Sequence, residues 1–338
     1  MATEKSFFAK LSKEKVAITA LQETRETISG IIVRHGFICC MSGSHKGNLG
    51  CQVCINTKVA WYSCDGIDQY ISADNVSILD FSPRHIICKC TMKYCCIYIV
   101  GFHAPYQGCK EDPVAWWNNF KIIVGMYCRI NCHILFLFDG NSQFFRCDTT
   151  THGEVGVLSA SAPDNFKAMS SFLTCFDQVM HSTFLDNYQI EHRRDYSTFI
   201  PNHGNKDNNI RIDYISSSPS ISCVPGSLAV NDSLALFLRV DSDHRPLTCM
   251  IALKLSKGSA PQRRRVINYD KDSFLKCPQL TLMLTILLTV ILLMSLSESL
   301  SKLVFPNPRT SKKKRVYLRL HFCLHSSWTW PCQAIAKV

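Results

Sequence analysis

Short apolar runs rich in β-branched and aromatic residues, each bounded by turn-forming residues, recur through the first three quarters of the chain. VAITALQE (16–23), CQVCINT (51–57), VSILDF (76–81), HIICKC (85–90), YCCIYIVGF (94–102), HILFLF (133–138), IRIDYIS (210–216) and TCMIALKL (248–255) have the length and composition of strands. That is enough for two sheets. The stretch 111–130 differs: acidic residues and a proline open it, and Val114, Trp117, Phe120, Val124 and Tyr127 recur at helical spacing. It predicts a helix that returns the chain to the next strand. A second helix is expected over 164–180, which makes residues 1–256 an α/β layered domain.

The pattern changes after residue 256. A basic linker (257–279) leads into LTLMLTILLTVILLMSL (280–296), seventeen residues without a charge, and then a basic tail (297–338) without clear periodicity. The apolar stretch is at the lower limit of a membrane-spanning helix. Basic residues flank both its sides, so they set no orientation, and a single-pass membrane form is the alternative to an apolar stretch that spans nothing.

Composition fits a packed core, with 46% hydrophobic and 19% charged residues among 338. The formal charge of +11 suits a polyanion such as DNA, but the basic residues cluster in QRRRV (262–266) and SKKKRVYLR (311–319), as solvated tails also do. Nineteen cysteines lie scattered in apolar runs rather than in a short disulfide framework, and no signal-peptide pattern opens the chain. An intracellular protein, nuclear or cytoplasmic, is the expectation. Cys51 and Cys54 form one CxxC, and no second pair completes a zinc site. No motif points to a protein partner.

Polar residues of catalytic type stand where the strands end. Glu23 closes VAITALQE, Asp139 and Asn141 follow HILFLF, Asp213 lies inside RIDYI, and Asp243 with His244 precedes TCMIALKL. A hard cation, Mg²⁺ or Mn²⁺, takes carboxylate oxygens, a role that fits Glu23 and Asp243. Asp139 suits the orientation and deprotonation of an attacking water, His244 proton handling or charge stabilisation at phosphorus, and Asp213 the orientation of the imidazole. Each alone is also an ordinary turn or cap residue; their joint occurrence in this order favours a shared site.

The segments ALQETRE (20–26), FHAPY (102–106), FLFDGNSQF (136–144), RIDYI (211–215) and SDHRPL (242–247) resemble, in this order, the motifs of the endonuclease/exonuclease/phosphatase superfamily. They are most similar to those of the apurinic/apyrimidinic-type endonuclease domains of non-LTR retrotransposons. The resemblance covers about residues 8–256 and implies a four-layer α/β/β/α sandwich, a divalent metal and hydrolysis of a phosphodiester in DNA. It assigns metal binding to Glu23 and Asp243, and catalysis to Asp139, Asn141, Asp213 and His244. His103 stands where the family has a tyrosine, with Tyr106 as a competing candidate, and Arg211 and Thr198 resemble substrate-side positions. The family pattern opens with a strand ending in Asn, whereas this chain opens at what resembles the following helix, so a central sheet position is expected to be empty. The alternatives kept beside a working DNA endonuclease are a non-catalytic remnant of such a domain and a membrane-tethered phosphatase or phospholipase-like member of the superfamily.

Overall fold

The computed structural model describes residues 4–64, 67–128, 132–145, 152–153, 157–158, 163–189, 197–200, 210–235, 243–255 and 314–323. Helix α1 (Glu4–Lys13) leads into β1 (Ile18–Gln22), β2 (Ser29–Arg34), β3 (Phe37–Ser42) and β4 (Cys51–Asn56). A small hairpin, β5 (Tyr62–Cys64) and β6 (Ile67–Gln69), precedes β7 (Val76–Ser82), β8 (His85–Met92), β9 (Cys95–His103), α2 (Pro113–Tyr127) and β10 (His133–Asp139). Then come β11 (Phe144–Phe145), β12 (Val157–Leu158), α3 (Asp164–Cys175), β13 (Val179–Met180), β14 (Asp213–Ser217), β15 (Ile221–Cys223), β16 (Ala229–Val230), α4 (Asp232–Ala235), β17 (Leu247–Leu255) and β18 (Lys314–Cys323).

Two sheets carry the domain. One runs β15-β17-β18-β1-β4-β3-β2 with β16 beside β17; the other runs β13-β14-β10-β9-β8-β7. Ile18 and Ala20 of the first sheet and Ile97, Ile99, Leu135 and Leu137 of the second meet in one inter-sheet core. The alternate residues Tyr98, Val100, Phe102, Ile134, Phe136 and Phe138 pack on Trp117, Phe120, Phe172 and Phe176 of the α2 and α3 region. On the far side, Phe7, Phe8 and Leu11 of α1 cover Leu21, Phe37, Cys39 and Cys54. The layers are therefore α, β, β, α, and strands covered on both faces explain the continuous apolar runs of β9 and β10.

Helix α2 begins where Asp112 accepts a hydrogen bond from Val114 N at 3.0 Å and Pro113 fills the first turn. Its buried face is Trp116, Trp117, Phe120 and Val124; the expected stripe keeps Trp117, Phe120 and Val124 and gains Trp116, while Val114 is only half-buried and Tyr127 is exposed. Helix α3 stops at Cys175 instead of running to residue 180. Asp177, at φ 52°, turns the chain left-handed, and Val179–Met180 then pair with β14.

The central position expected to be empty is filled. Lys314–Cys323, inside what the sequence suggests is an irregular tail, forms β18 between β1 and β17. Among the described residues no helix is long and apolar enough to cross a membrane; the stretch 280–296 lies outside them, as do the linker 257–279 and the QRRRV segment. Cys51 faces the inter-sheet core and Cys54 the α1 side, the opposite directions that an odd spacing imposes on a strand.

Candidate active site

Three neighbouring strands of the second sheet put polar residues in one row. His103 ends β9, Asp139 ends β10 directly opposite it, and Asp213 opens β14 directly opposite Asp139. Residues in register across a sheet point to the same face, so strand pairing alone gathers these three. His103 Nε2 lies 3.6 Å from Asp139 Oδ2, and its Nδ1 lies 3.7 Å from Glu23 Oε1, which brings in the end of β1 from the other sheet. A buried bridge between the sheets, Gln22 Nε2 donating to Leu137 O at 3.3 Å, fixes that approach one residue earlier.

His244 enters from the segment before β17. Its Nδ1 lies 3.0 Å from Asp213 Oδ2, and its Nε2 is 3.9 Å from Asp243 Oδ1. Potential ligand atoms of Asp139, Asp213 and His244 all lie within 4.8 Å of one another. A continuous chain of neighbours thus runs Glu23, His103, Asp139, Asp213, His244, Asp243. The expected cluster is assembled, with the two residues assigned to metal at its two ends.

The loop after β10 is tied down through Asn141. Its backbone N–H donates to Asp139 Oδ1 at 2.8 Å, and its amide donates to Ala104 O at 2.8 Å, joining the β10 and β9 termini. Asn141 has φ 44° and Glu23 φ 51°, left-handed conformations that non-glycine residues adopt at a cost and that concentrate at functional sites. Asn165 of α3 donates to Asn141 O at 3.2 Å and accepts from Trp117 Nε1 at 2.8 Å. This support carried no signal in the sequence, where Trp117 looks like packing and Asn165 like a first-turn helix residue.

The weaker candidates fall elsewhere. Thr198 is fully buried and its Oγ1 accepts from Ile212 N and Asp213 N, both at 3.2 Å, so it braces the strand that carries Asp213. Arg211 is buried with its guanidinium 5.3 Å from the Tyr188 ring centroid. Both side chains are buried. Tyr106 is exposed on the loop after β9. Arg84, which the motifs do not include, stands beside the row: its Nε donates to Glu111 at 2.6 Å and its Nη1 to His103 O at 3.3 Å.

Electrostatics separate the roles. Burial opposes a charge on His244, but the carboxylates of Asp213, Asp139 and Asp243 outweigh it and raise its pKa to about 9. His244 is an imidazolium at neutral pH. Burial, and next the carboxylate of Asp213, push Asp139 well above the usual carboxylate range.

No family model matches the chain, and no curated protein matches it. Among solved structures, it is similar to an AP endonuclease from Archaeoglobus fulgidus (TM-score 0.48, 17% identity, 72% of this chain and 91% of that one). It is also similar to the endonuclease domain of TRAS1, a telomere-specific non-LTR retrotransposon (0.45, 13%, 73% and 90%), and to the Xenopus laevis APE2 catalytic domain (0.45, 14%, 71% and 84%). In motif order and in layer order, the chain resembles the endonuclease/exonuclease/phosphatase superfamily. The chemistry is read from the side-chain geometry of the row.

Proposed function

We propose that the chain is a metal-dependent phosphodiester hydrolase of the endonuclease/exonuclease/phosphatase type, acting on DNA as an endonuclease of retroelement kind. The observation that carries this is the Asp213–His244 pair at 3.0 Å, set beside Asp139 and Asn141 at the ends of adjacent strands. Asp139, with its raised pKa, is the base that orients and deprotonates the attacking water. The His244 imidazolium, held by Asp213, offers Nε2–H to the negative charge that builds on the phosphoryl oxygens. Asn141 holds the loop that presents Asp139, and its backbone N–H keeps one carboxylate oxygen in place.

The donor set suits a hard divalent cation. Asp213 Oδ1 is buried without a hydrogen-bond partner among the described residues, and oxygen donors dominate the rim. With His244 Nδ1 engaged by Asp213 at 3.0 Å, we assign Mg²⁺ or Mn²⁺ to the carboxylates Glu23 and Asp243 rather than to the imidazole. The ion, when bound, supplies Lewis-acid polarisation of a phosphate oxygen.

Supercoiled plasmid with the purified full chain tests this reading. Nicking is expected to require Mg²⁺ or Mn²⁺, to stop with chelator, and to fall about 10²- to 10⁴-fold in His244→Ala while DNA binding persists. DNA binding without metal-dependent nicking above the His244→Ala background would instead support a fold-retaining remnant.

A further inference from the structure

The strand between β1 and β17 links the two ends of the proposed site. β18 runs parallel to β1, with Ile18 opposite Leu320 and Leu21 opposite Cys323, and antiparallel to β17 over nine pairs from Leu247–Phe322 to Leu255–Lys314. The outer edge of β1 is taken by β4, and that of β17 by β15 and β16. The inner edges therefore depend on β18 for backbone partners. Its sequence has the required period: Val316, Leu318, Leu320 and Phe322 alternate with Tyr317, Arg319 and His321. The apolar set stands in register with Leu253, Ile251, Cys249 and Leu247, all members of the inter-sheet core.

We propose that Lys314–Cys323 is a positioning strand of the hydrolase: inserted between β1 and β17, it sets the separation of Glu23 from Asp243 and His244. Glu23 follows β1 directly, and Asp243 and His244 shortly precede β17. Neighbouring strands lie about 4.8 Å apart, so β1 and β17 stand two steps, about 9.5 Å, apart only while a strand lies between them. Closing to one step, or opening a gap, moves one proposed metal ligand relative to the other. The role rests on the nuclease reading; the placement of the strand does not.

Hydrogen exchange on the full chain separates the two. Backbone amides of Ile18–Leu21, Leu247–Leu255 and Lys314–Cys323 are expected to share protection of about 10³-fold or more, the scale of global unfolding. Exchange of 314–323 at the unstructured rate while β1 and β17 stay protected would overturn the insertion. Leu320→Pro removes a backbone donor from mid-strand, and its expected signature is a joint loss of protection in β1 and β17 with β8 and β9 retained. Unchanged β1 and β17 would count against the proposal. For the positioning role, Leu320→Ala is expected to raise the Mn²⁺ concentration for half-maximal nicking roughly tenfold, and Leu320→Val to restore it. A lower nicking amplitude at an unmoved Mn²⁺ midpoint would mean that β18 only supports folding. A protected β18 in a chain that nicks nothing would sink the nuclease reading, and the positioning role with it, while the insertion stands.

Discussion

His244 is buried among carboxylates, and its protonation is tied to the folded state. Its pKa rises from 6.5 to about 9 on folding, so the stabilisation is fully present below pH 6.5 and is lost as pH climbs through 9. Unfolding free energy measured by urea titration is expected to fall between pH 7 and pH 10 by roughly 3 kcal/mol, and His244→Gln to remove most of that slope. A slope unchanged in the variant would place the titration elsewhere. Thr198 yields a second residue-scale prediction. Removing its hydroxyl in Thr198→Val leaves the buried N–H groups of Ile212 and Asp213 without that acceptor, at an expected cost of about 1–3 kcal/mol in the same titration. The side chain was legible in the sequence only as a substrate-side candidate. Its bracing role depends on a backbone approach between residues 198 and 212–213 that no spacing encodes.

Strands β9 and β10 show why the second sheet is legible in the sequence. Both faces are covered, so their apolar runs are continuous, and the polar residue that ends each run marks the rim where His103 and Asp139 stand. The hairpin β2–β3 is hard to read from the sequence for the opposite reason. β2 is an edge strand of half-exposed and exposed residues, and its turn rests on His35 and Gly36 at φ 53° and 83°, a pair without the strength of an Asn-Gly signal. β18 does not stand out in the sequence because its pairing partners lie far back along the chain, although Val316, Leu318, Leu320 and Phe322 alternate with polar and aromatic residues. The aromatic layer under α2 and α3 makes the element-scale prediction. Phe102 is fully buried, stacked on Phe138 at 4.4 Å and 13°, with Trp117 and Phe120 at 5.7 and 4.9 Å. Phe102→Ala is expected to cost about 3–5 kcal/mol, measured by urea unfolding, because the sheet and two helices cannot all close on the space.

Charge divides the whole molecule where the motifs end. Residues 1–256 hold 23 basic and 23 acidic side chains, whereas 257–338 hold 14 basic and 3 acidic, so the entire +11 belongs to the part beyond the last motif. Residues 1–256, at zero net charge, have little long-range attraction for a polyanion, and Lys314, Arg315 and Arg319 of β18 add only +3 to the folded domain. DNA affinity in the proposed function should therefore draw on the basic residues after 256. Each phosphate neutralised contributes about 0.9 to the slope of log affinity against log salt. Replacing Arg263→Gln, Arg264→Gln and Arg265→Gln together is expected to flatten that slope by up to about 2.7, as read by fluorescence anisotropy across a salt series. Nicking at low salt and saturating DNA should change little, because none of the three belongs to the row from Glu23 to Asp243. An unaltered slope would assign DNA contact to the rim formed by residues 1–256, with Arg84 the first side chain to test there.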